Sequence, residues 1–137
     1  MGIVRTEITL KNAIDMGTAN RGMIKDSEIR QTTVTAVVDT GAITLVINEE
    51  IRQKLGLKIT GHRRATLADG AAHDYEVTEP VSIHWKNRDS SCKALVLPNA
   101  NNVLLGAIPM EDMDLIVNPK KQEVVGAHGD EAVAILY

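Results

Sequence analysis

Aromatic side chains are almost absent from this sequence. They make up 2% of the 137 residues, with no Phe, one Trp and two Tyr. Proteins that bind single-stranded nucleic acid stack bases on such rings, and a formal net charge of −3 offers no phosphate-binding surface. We therefore expect no nucleic acid partner. The hydrophobic core must be built from Val, Ile, Leu, Ala and Met.

Cysteine is nearly missing as well. A single residue, Cys92, excludes an intrachain disulfide and a cysteine-based zinc site. The four histidines lie at positions 62, 73, 84 and 128, without the spacing of metal ligands. The sequence therefore predicts neither a metal nor another cofactor.

Long apolar runs are also lacking. No segment approaches the roughly 20 apolar residues that a membrane-spanning helix needs, and the N-terminal residues show no cationic segment followed by an apolar one. These patterns predict a protein that has no membrane partner and lies in the cytoplasm.

What the sequence does have is a succession of short apolar segments. Apolar residues make up 44% and charged residues 24% of the chain, which is typical of a globular protein, and the length predicts one domain, residues 1–137. Turn signals separate the segments about every 8–12 residues, as in a small β-barrel or sandwich. We expect strands near 3–10, 23–38, 43–47, 58–64, 77–85, 92–97, 103–106, 116–117, 124–125 and 132–136, a loop or hairpin arm at 12–22, a polar turn at 86–91, and short helices at 48–57 and 110–115.

The most informative segment is Asp39-Thr40-Gly41. The β-branched run at 34–38 ends in this acid and turns apolar again at 43–47. A carboxylate held against a buried strand must be paired, hydrogen-bonded or partly protonated, and such acids cluster at reactive sites. Gly41 permits a tight turn. Taken alone, the triplet also fits an Asp that caps a helix or closes a turn.

Together these segments resemble the retropepsin-like aspartic proteases. In that family a hydrophobic strand delivers Asp-Thr/Ser-Gly-Ala, here Asp39 to Ala42, and a distant hydrophobic-hydrophobic-Gly strand supports it, here Leu104-Leu105-Gly106. The segment 48–57 resembles a helix of the single-domain bacterial and archaeal members. The resemblance implies a mostly β protein, with a small closed β-barrel of the retroviral aspartic protease type and one or two short helices, acting as a two-fold homodimer.

The resemblance also implies roles for individual residues. Asp39 would be catalytic, with Thr40 and Gly41 supporting it, in an aspartic endopeptidase without metal or cofactor. An Asp-Gly hairpin at 65–73 would be the flap that closes over a peptide, although its spacing fits any surface hairpin equally well. The residues implied in substrate binding are Ala42, Leu67, Ala68, Asp69, Gly70, Leu104, Leu105 and Gly106.

The chemistry of this family demands a second acid. Hydrolysis by this route needs two carboxylates that share one proton, yet Asp-Thr-Gly occurs once in the chain. The second Asp39 must come from another copy, related by a two-fold axis, with Thr40 hydrogen-bonding across it. The apolar residues 132–137 and the N-terminal strand are candidates for an intersubunit sheet.

Two positions depart from the retroviral pattern. Retroviral members carry an Asp after Asp-Thr-Gly-Ala and an Arg after the hydrophobic-Gly pair, whereas Ile43 and Ala107 stand here. An apolar contact would replace that buried ion pair. Two other functions remain open: a catalytically silent β-barrel that binds or scaffolds a partner, and a single-chain β-domain in which Asp39 caps a turn.

Overall fold

A computed structural model of the chain describes residues 2–66 and 70–134. Strands are the main regular structure, together with three α-helices and a 3-10 turn at Asp26–Glu28. The helices are α1 (Ala13–Asn20), α2 (Glu49–Lys54) and α3 (Ala107–Asp112). The strands are β1 (Arg5–Asn12), β2 (Gln31–Val38), β3 (Leu45–Ile47), β4 (Ile59–Thr66), β5 (Ala72–Trp85), β6 (Arg88–Val96), β7 (Val103–Leu105), β8 (Leu115–Asn118) and β9 (Glu123–Gly126).

Six strands close into a barrel. Their order is β1, β2, β7, β3, β6 and β5, and β5 pairs back onto β1. β4 lies outside this ring and pairs with β5, while β8 and β9 form a separate hairpin. The expected small, closed, mostly β barrel is therefore confirmed.

The short strand β7 lies between β2 and β3 in the barrel wall. It runs parallel to β2 on one side, with Val38 opposite Leu105, and antiparallel to β3 on the other, with Leu45 opposite Leu105. Insertion of β7 between two strands from much earlier in the chain brings the end of β2 beside Leu105.

The core is aliphatic, as the composition predicts. Side chains such as Ile8, Leu10, Leu45 and Leu105 are fully buried inside the barrel, and Trp85 is the one aromatic residue of the buried cluster in the described ranges. Branched aliphatic side chains suit the pleated surface of a strand, so these residues favour the strands and fill the core together.

Strand β5 is longer than expected. It runs for 14 residues and shifts register between Val77 and Pro80. Its first half pairs with β4 to make a hairpin outside the barrel, and its second half pairs with β1 in the barrel wall. One continuous strand therefore joins that hairpin to the barrel.

The prediction of a polar turn at 86–91 is wrong. The turn consists of Lys86 and Asn87 alone, with Lys86 at φ +49°, and β6 begins directly at Arg88. Arg88 is buried because its guanidinium donates to backbone oxygens of Met113, at 3.0 Å, and of Gly129. A strand whose inward-facing side chains are polar does not show the apolar alternation that predicts strands.

The region expected to be a loop or hairpin arm at 12–22 contains helix α1. Asn12 caps it by accepting from the N–H of Asp15 at 3.0 Å, and its side-chain amide donates to Leu55 O at 2.9 Å. The carboxylate of Asp15 binds the guanidinium of Arg30, with Oδ2 2.8 Å from Nε. Arg30 is thus an anchor for α1, although half of its side chain is exposed.

The two expected helices are both present. Asn48 caps α2 by accepting from the N–H of Ile51 at 2.9 Å, and Gly56 follows its end at φ +63°. The second helix, α3, begins at Ala107, three residues before the expected start at Met110. None of the helices in the described ranges is long and apolar enough to cross a membrane.

The C-terminal strand expected at 132–136 is not formed by its first three residues. Residues 132–134 have no regular secondary structure, and the remainder lies outside the described residues. The N–H of Val133 donates to the Asp114 carboxylate at 2.9 Å, which holds this segment against the turn before β8.

Candidate active site

Asp39 lies directly after β2, at the open end of the barrel. Its backbone N–H donates to Leu105 O at 3.0 Å, so the neighbouring strand β7 fixes where β2 ends. Its carboxylate Oδ1 accepts from the N–H of Gly41 at 2.9 Å, and its carbonyl accepts from the N–H of Ala42 at 3.1 Å. These bonds hold the half-buried carboxylate at the start of a tight turn.

The junction of β7 and α3 clamps this turn from behind. The N–H of Ala107 donates to Ala42 O at 2.8 Å, and the N–H of Ile108 donates to Ile43 O at 2.9 Å. Gly106 makes this contact possible, because a Cβ at that position would lie 2.3 Å from Thr44 O. The glycine is required for close approach of two backbone segments.

A cleft of about 680 Å³ opens beside Asp39. Ala42, Ile43 and Thr44 form the wall next to the acid, and the hairpin β4–β5 forms the opposite wall. Its volume lies in the range typical of ligand-binding sites. Apolar side chains make up much of the remaining lining, namely Val46, Leu95, Val96, Leu97 and Leu104.

The structure brings some of the expected site residues together. Asp39, Gly41, Ala42 and Leu104 border the cleft, whereas Thr40 is exposed beside it. Their functional roles stay predictions.

Other expected site residues lie elsewhere. Leu105 is fully buried in the core, and Gly106 is buried against the turn, so both support the site from behind and offer no surface to a substrate. Gly70 is exposed in the β4–β5 hairpin at φ +83°. The hairpin itself is confirmed by the pairing of Thr66 with Ala72, but Leu67, Ala68 and Asp69 lie outside the described residues.

The apolar contact expected between Ile43 and Ala107 stays a prediction. The side chain of Ile43 is 67% exposed, and the two segments are joined through the backbone hydrogen bonds described above. The loss of both charges is accommodated because main-chain groups hold the turn without an ion pair.

Sequence reasoning missed the opposite wall of the cleft. This wall is bordered by Arg63 and Ala65 from β4 and by Tyr75 from β5. The sequence of these segments is polar and contains no recognisable motif. The alternation of Gly61, Arg63 and Ala65 along a strand ending in a hairpin was the available signal, since every second residue faces the same side.

Two acids outside the cleft, Asp112 and Asp114, also have hydrogen-bond partners. The carboxylate of Asp114 binds Nδ1 of His128 at 2.6 Å, and this hydrogen bond, followed by that from the N–H of Val133, lowers the pKa of Asp114. The carboxylate of Asp112 accepts from Ser90 Oγ at 2.6 Å. Neither acid borders the cleft, so both contribute to the fold.

Within residues 2–66 and 70–134, Asp39 is the only acidic residue that borders the cleft, and no three His, Cys, Asp or Glu side chains are close enough together to hold a metal ion. A family model described as "Aspartyl protease" matches residues 26–126, which contain the Asp39 turn, the hairpin and β7. The chain belongs to the aspartyl protease family. A search of curated proteins finds no match.

The fold of this aspartyl protease is also found among solved structures. The EIAV protease complexed with the inhibitor HBY-793 matches it with a TM-score of 0.53 and 19% sequence identity. The match covers 81% of this chain and 88% of the viral one. The chain therefore has the fold of a retroviral protease, and the retropepsin-like resemblance of its sequence is confirmed at the level of family and fold.

Proposed function

We propose that this aspartyl protease is an endopeptidase that acts as a homodimer, with the two Asp39 side chains facing each other across a two-fold axis. The observation that carries the proposal is the geometry of Asp39. The N–H of Gly41 holds its carboxylate at the edge of an apolar cleft, and backbone hydrogen bonds from the distant β7–α3 segment hold the turn that carries it. Each chain supplies one such acid, and the reaction needs two.

The two acids would divide the chemistry. The ionised Asp39 takes a proton from water as the water oxygen attacks the peptide carbonyl carbon, and the partner's Asp39 donates its proton to the carbonyl oxygen. The tetrahedral intermediate then loses the C–N bond, and the amine nitrogen leaves with a proton returned by the dyad. The pair titrates as a unit, so activity requires the state that holds one proton.

Exposed apolar side chains support the dimer. Ile43 and Ile108 are 67% and 52% exposed in one chain, and their backbones are hydrogen-bonded to each other beside the Asp39 turn. Two large apolar residues exposed together favour an interface. Thr40, also exposed, would hydrogen-bond across the axis, with Ile3 and the residues from Ala132 onward as further candidate contacts.

The hairpin of β4 and β5 is the proposed flap. It projects beyond the closed barrel and covers the cleft opposite Asp39. An extended peptide between flap and dyad would bind through its main chain, with alternate side chains in pockets. The α2 segment, with its Asn48 cap and Gly56 end, supports placement among single-domain bacterial and archaeal members. The cytoplasmic location stays a prediction.

Replacement of the acid tests the proposal. In Asp39→Asn we expect peptide cleavage to fall at least about 10²-fold, because the amide can neither take nor give the proton. The exposed Asp26, in the 3-10 turn, provides the matched control Asp26→Asn, which should cleave normally. Cleavage of a peptide library by mass spectrometry, with sedimentation velocity to confirm that the dimer persists, measures both. Activity should also fall as pH rises and the dyad loses its proton.

Two results would contradict the proposal. Equal cleavage by wild type and Asp39→Asn would remove Asp39 from the chemistry. A wild-type dimer that cleaves no library peptide between about pH 3 and 7 would instead favour the silent binding or scaffold domain.

A further inference from the structure

We propose that Arg63 is a specificity-determining residue that selects substrates carrying a carboxylate near the scissile bond. The carboxylate would be an Asp or Glu side chain, or the free C-terminus of a short peptide. This inference rests on the proposed peptidase function, because it names the substrate class for the same cleft.

The pairing of β4 with β5 places Arg63 on the cleft side of the hairpin. Arg63 lies opposite Tyr75, and Gly61 lies opposite Val77. Val77 is buried under the cleft end of this row, Tyr75 is half-buried, and Arg63 is exposed further along it. Arg63 and Tyr75 both border the cleft, in agreement with this orientation.

The arginine next to Arg63 already has a partner. Arg64 borders the cleft as well, but its Nε lies 3.4 Å from Oδ1 of Asp74 across the hairpin. The Arg64 guanidinium is therefore paired with a carboxylate of the same hairpin.

Arg63 has no such match. Among the residues that the structure describes, its guanidinium makes no side-chain hydrogen bond or ion pair, and no acid other than Asp39 borders the cleft. When a peptide fills the cleft, the apolar wall of Val46, Leu95 and Leu104 excludes water. A guanidinium left there without a partner is costly. A substrate carboxylate removes that cost.

The chemistry of arginine makes the selection specific. The planar guanidinium donates two parallel hydrogen bonds to a carboxylate, whereas an amide offers a single neutral acceptor. A Gln side chain therefore replaces Glu in shape but not in binding. In the proposed dimer each half of the cleft carries one Arg63, so the preference should occur at positions on both sides of the scissile bond.

Paired peptides test this selection. For one cleaved sequence, Glu and Gln are exchanged at each position, with the C-terminus either free or amidated to separate the two sources of carboxylate. Wild type should favour the carboxylate peptide by about 10-fold to 100-fold in kcat/KM. Arg63→Gln should cleave the Gln peptide as before and lose the preference, and Arg63→Glu should favour Lys instead. Arg21→Gln, at an exposed arginine directly after α1 that does not border the cleft, should keep the wild-type ratio.

The dependence of the Glu preference on salt and pH provides a second readout. The preference should shrink at high salt, which screens the ion pair, and below about pH 4, where the substrate Glu becomes protonated. A loss of preference caused by general damage to the cleft would not follow these conditions.

Binding keeps this inference separate from the proposed function. The same peptides, labelled with a fluorophore, are titrated into Asp39→Asn and into the double variant Asp39→Asn/Arg63→Gln by fluorescence anisotropy. If wild type cleaves nothing, the proposed function fails, while tighter binding of Glu peptides to the single variant alone still supports Arg63. Equal cleavage and equal binding of Glu and Gln peptides, or equal effects of Arg63→Gln and Arg21→Gln, would overturn the inference.

Discussion

At the scale of single residues, buried polar contacts decide much of this structure. Asn12 joins α1 to the end of α2, and Arg88 joins β6 to the turn before β8. Arg30 bonds Asp15 and also lies over Gly56, where an added Cβ would clash with its guanidinium. Each contact joins segments that are far apart in the chain. Removal of one partner leaves a buried polar group unpaired, which costs more than the bond itself contributes.

Asp15 gives a prediction about pH. The side-chain hydrogen bonds from Arg30 lower the pKa of Asp15 below its unfolded value of about 3.9. Its contribution to stability is therefore present above that value and is lost as pH falls through the folded pKa. Asp15→Asn should cost about 1 kcal/mol at pH 7, a small value because the Arg30 side chain is 51% exposed.

Urea denaturation at pH 7 and at pH 3 measures this effect. The difference between wild type and Asp15→Asn should narrow at the lower pH, since wild type begins to lose the charged contact there. Asp26→Asn, in the exposed turn that precedes Arg30, should show little difference at either pH. A gap of the same size at both pH values would contradict the assignment to the charge of Asp15.

At the scale of elements, the β7–α3 junction gives the clearest prediction. Gly106→Ala should destabilise the protein by about 1–3 kcal/mol and reduce cleavage, because the new Cβ would press on the backbone of Thr44 and Ala42. Thermal unfolding and peptide cleavage measure the two effects. Gly17, inside α1, has no atom within 4 Å of an added Cβ, so Gly17→Ala should be neutral or stabilising by up to about 1 kcal/mol. Equal behaviour of the two variants would contradict the clamp.

The elements also show how far a sequence can predict a structure of this kind. The approach strand to Asp39, the capped helix α2 and the β4–β5 hairpin follow local rules of periodicity, capping and turn chemistry. Helix α1 follows them only in part, because Asn12 caps it locally but Asp15 and Arg30 also stabilise it through a tertiary contact. Strand β6 cannot be found from its sequence for a similar reason, since its buried Arg88 donates to distant backbone oxygens.

The candidate site divides in the same way. Asp39 and its turn carry a short local motif, so the sequence finds them. Arg63 and Tyr75 enter the cleft through strand register, and register depends on pairing that no local pattern specifies. Leu105 was expected to contact substrate but is buried, because alternate residues of β7 face opposite sides, and Leu105 faces the core while Leu104 borders the cleft.

At the scale of the whole molecule, the proposed dimer gives the last prediction. Ile108→Glu should weaken association about tenfold or more, because a charge replaces a large apolar side chain near the two-fold axis and meets its own copy. Sedimentation velocity over a range of concentrations measures the dimer. Ile14 in α1 is similarly exposed, at 48%, so Ile14→Glu is a matched control that should leave the dimer intact. Dissociation by Ile14→Glu alone would move the interface to α1.

The anchoring of Asp39 by Leu105 and Ala107 has a consequence for synthesis of the protein. Strand β7 leaves the ribosome long after β2, so a growing chain contains the acid but lacks the strand that positions it. Contacts between segments so distant in sequence also form slowly during folding. A growing chain therefore cannot yet hold Asp39 in the position that the proposed cleavage requires, and the candidate site is assembled only as the fold is completed.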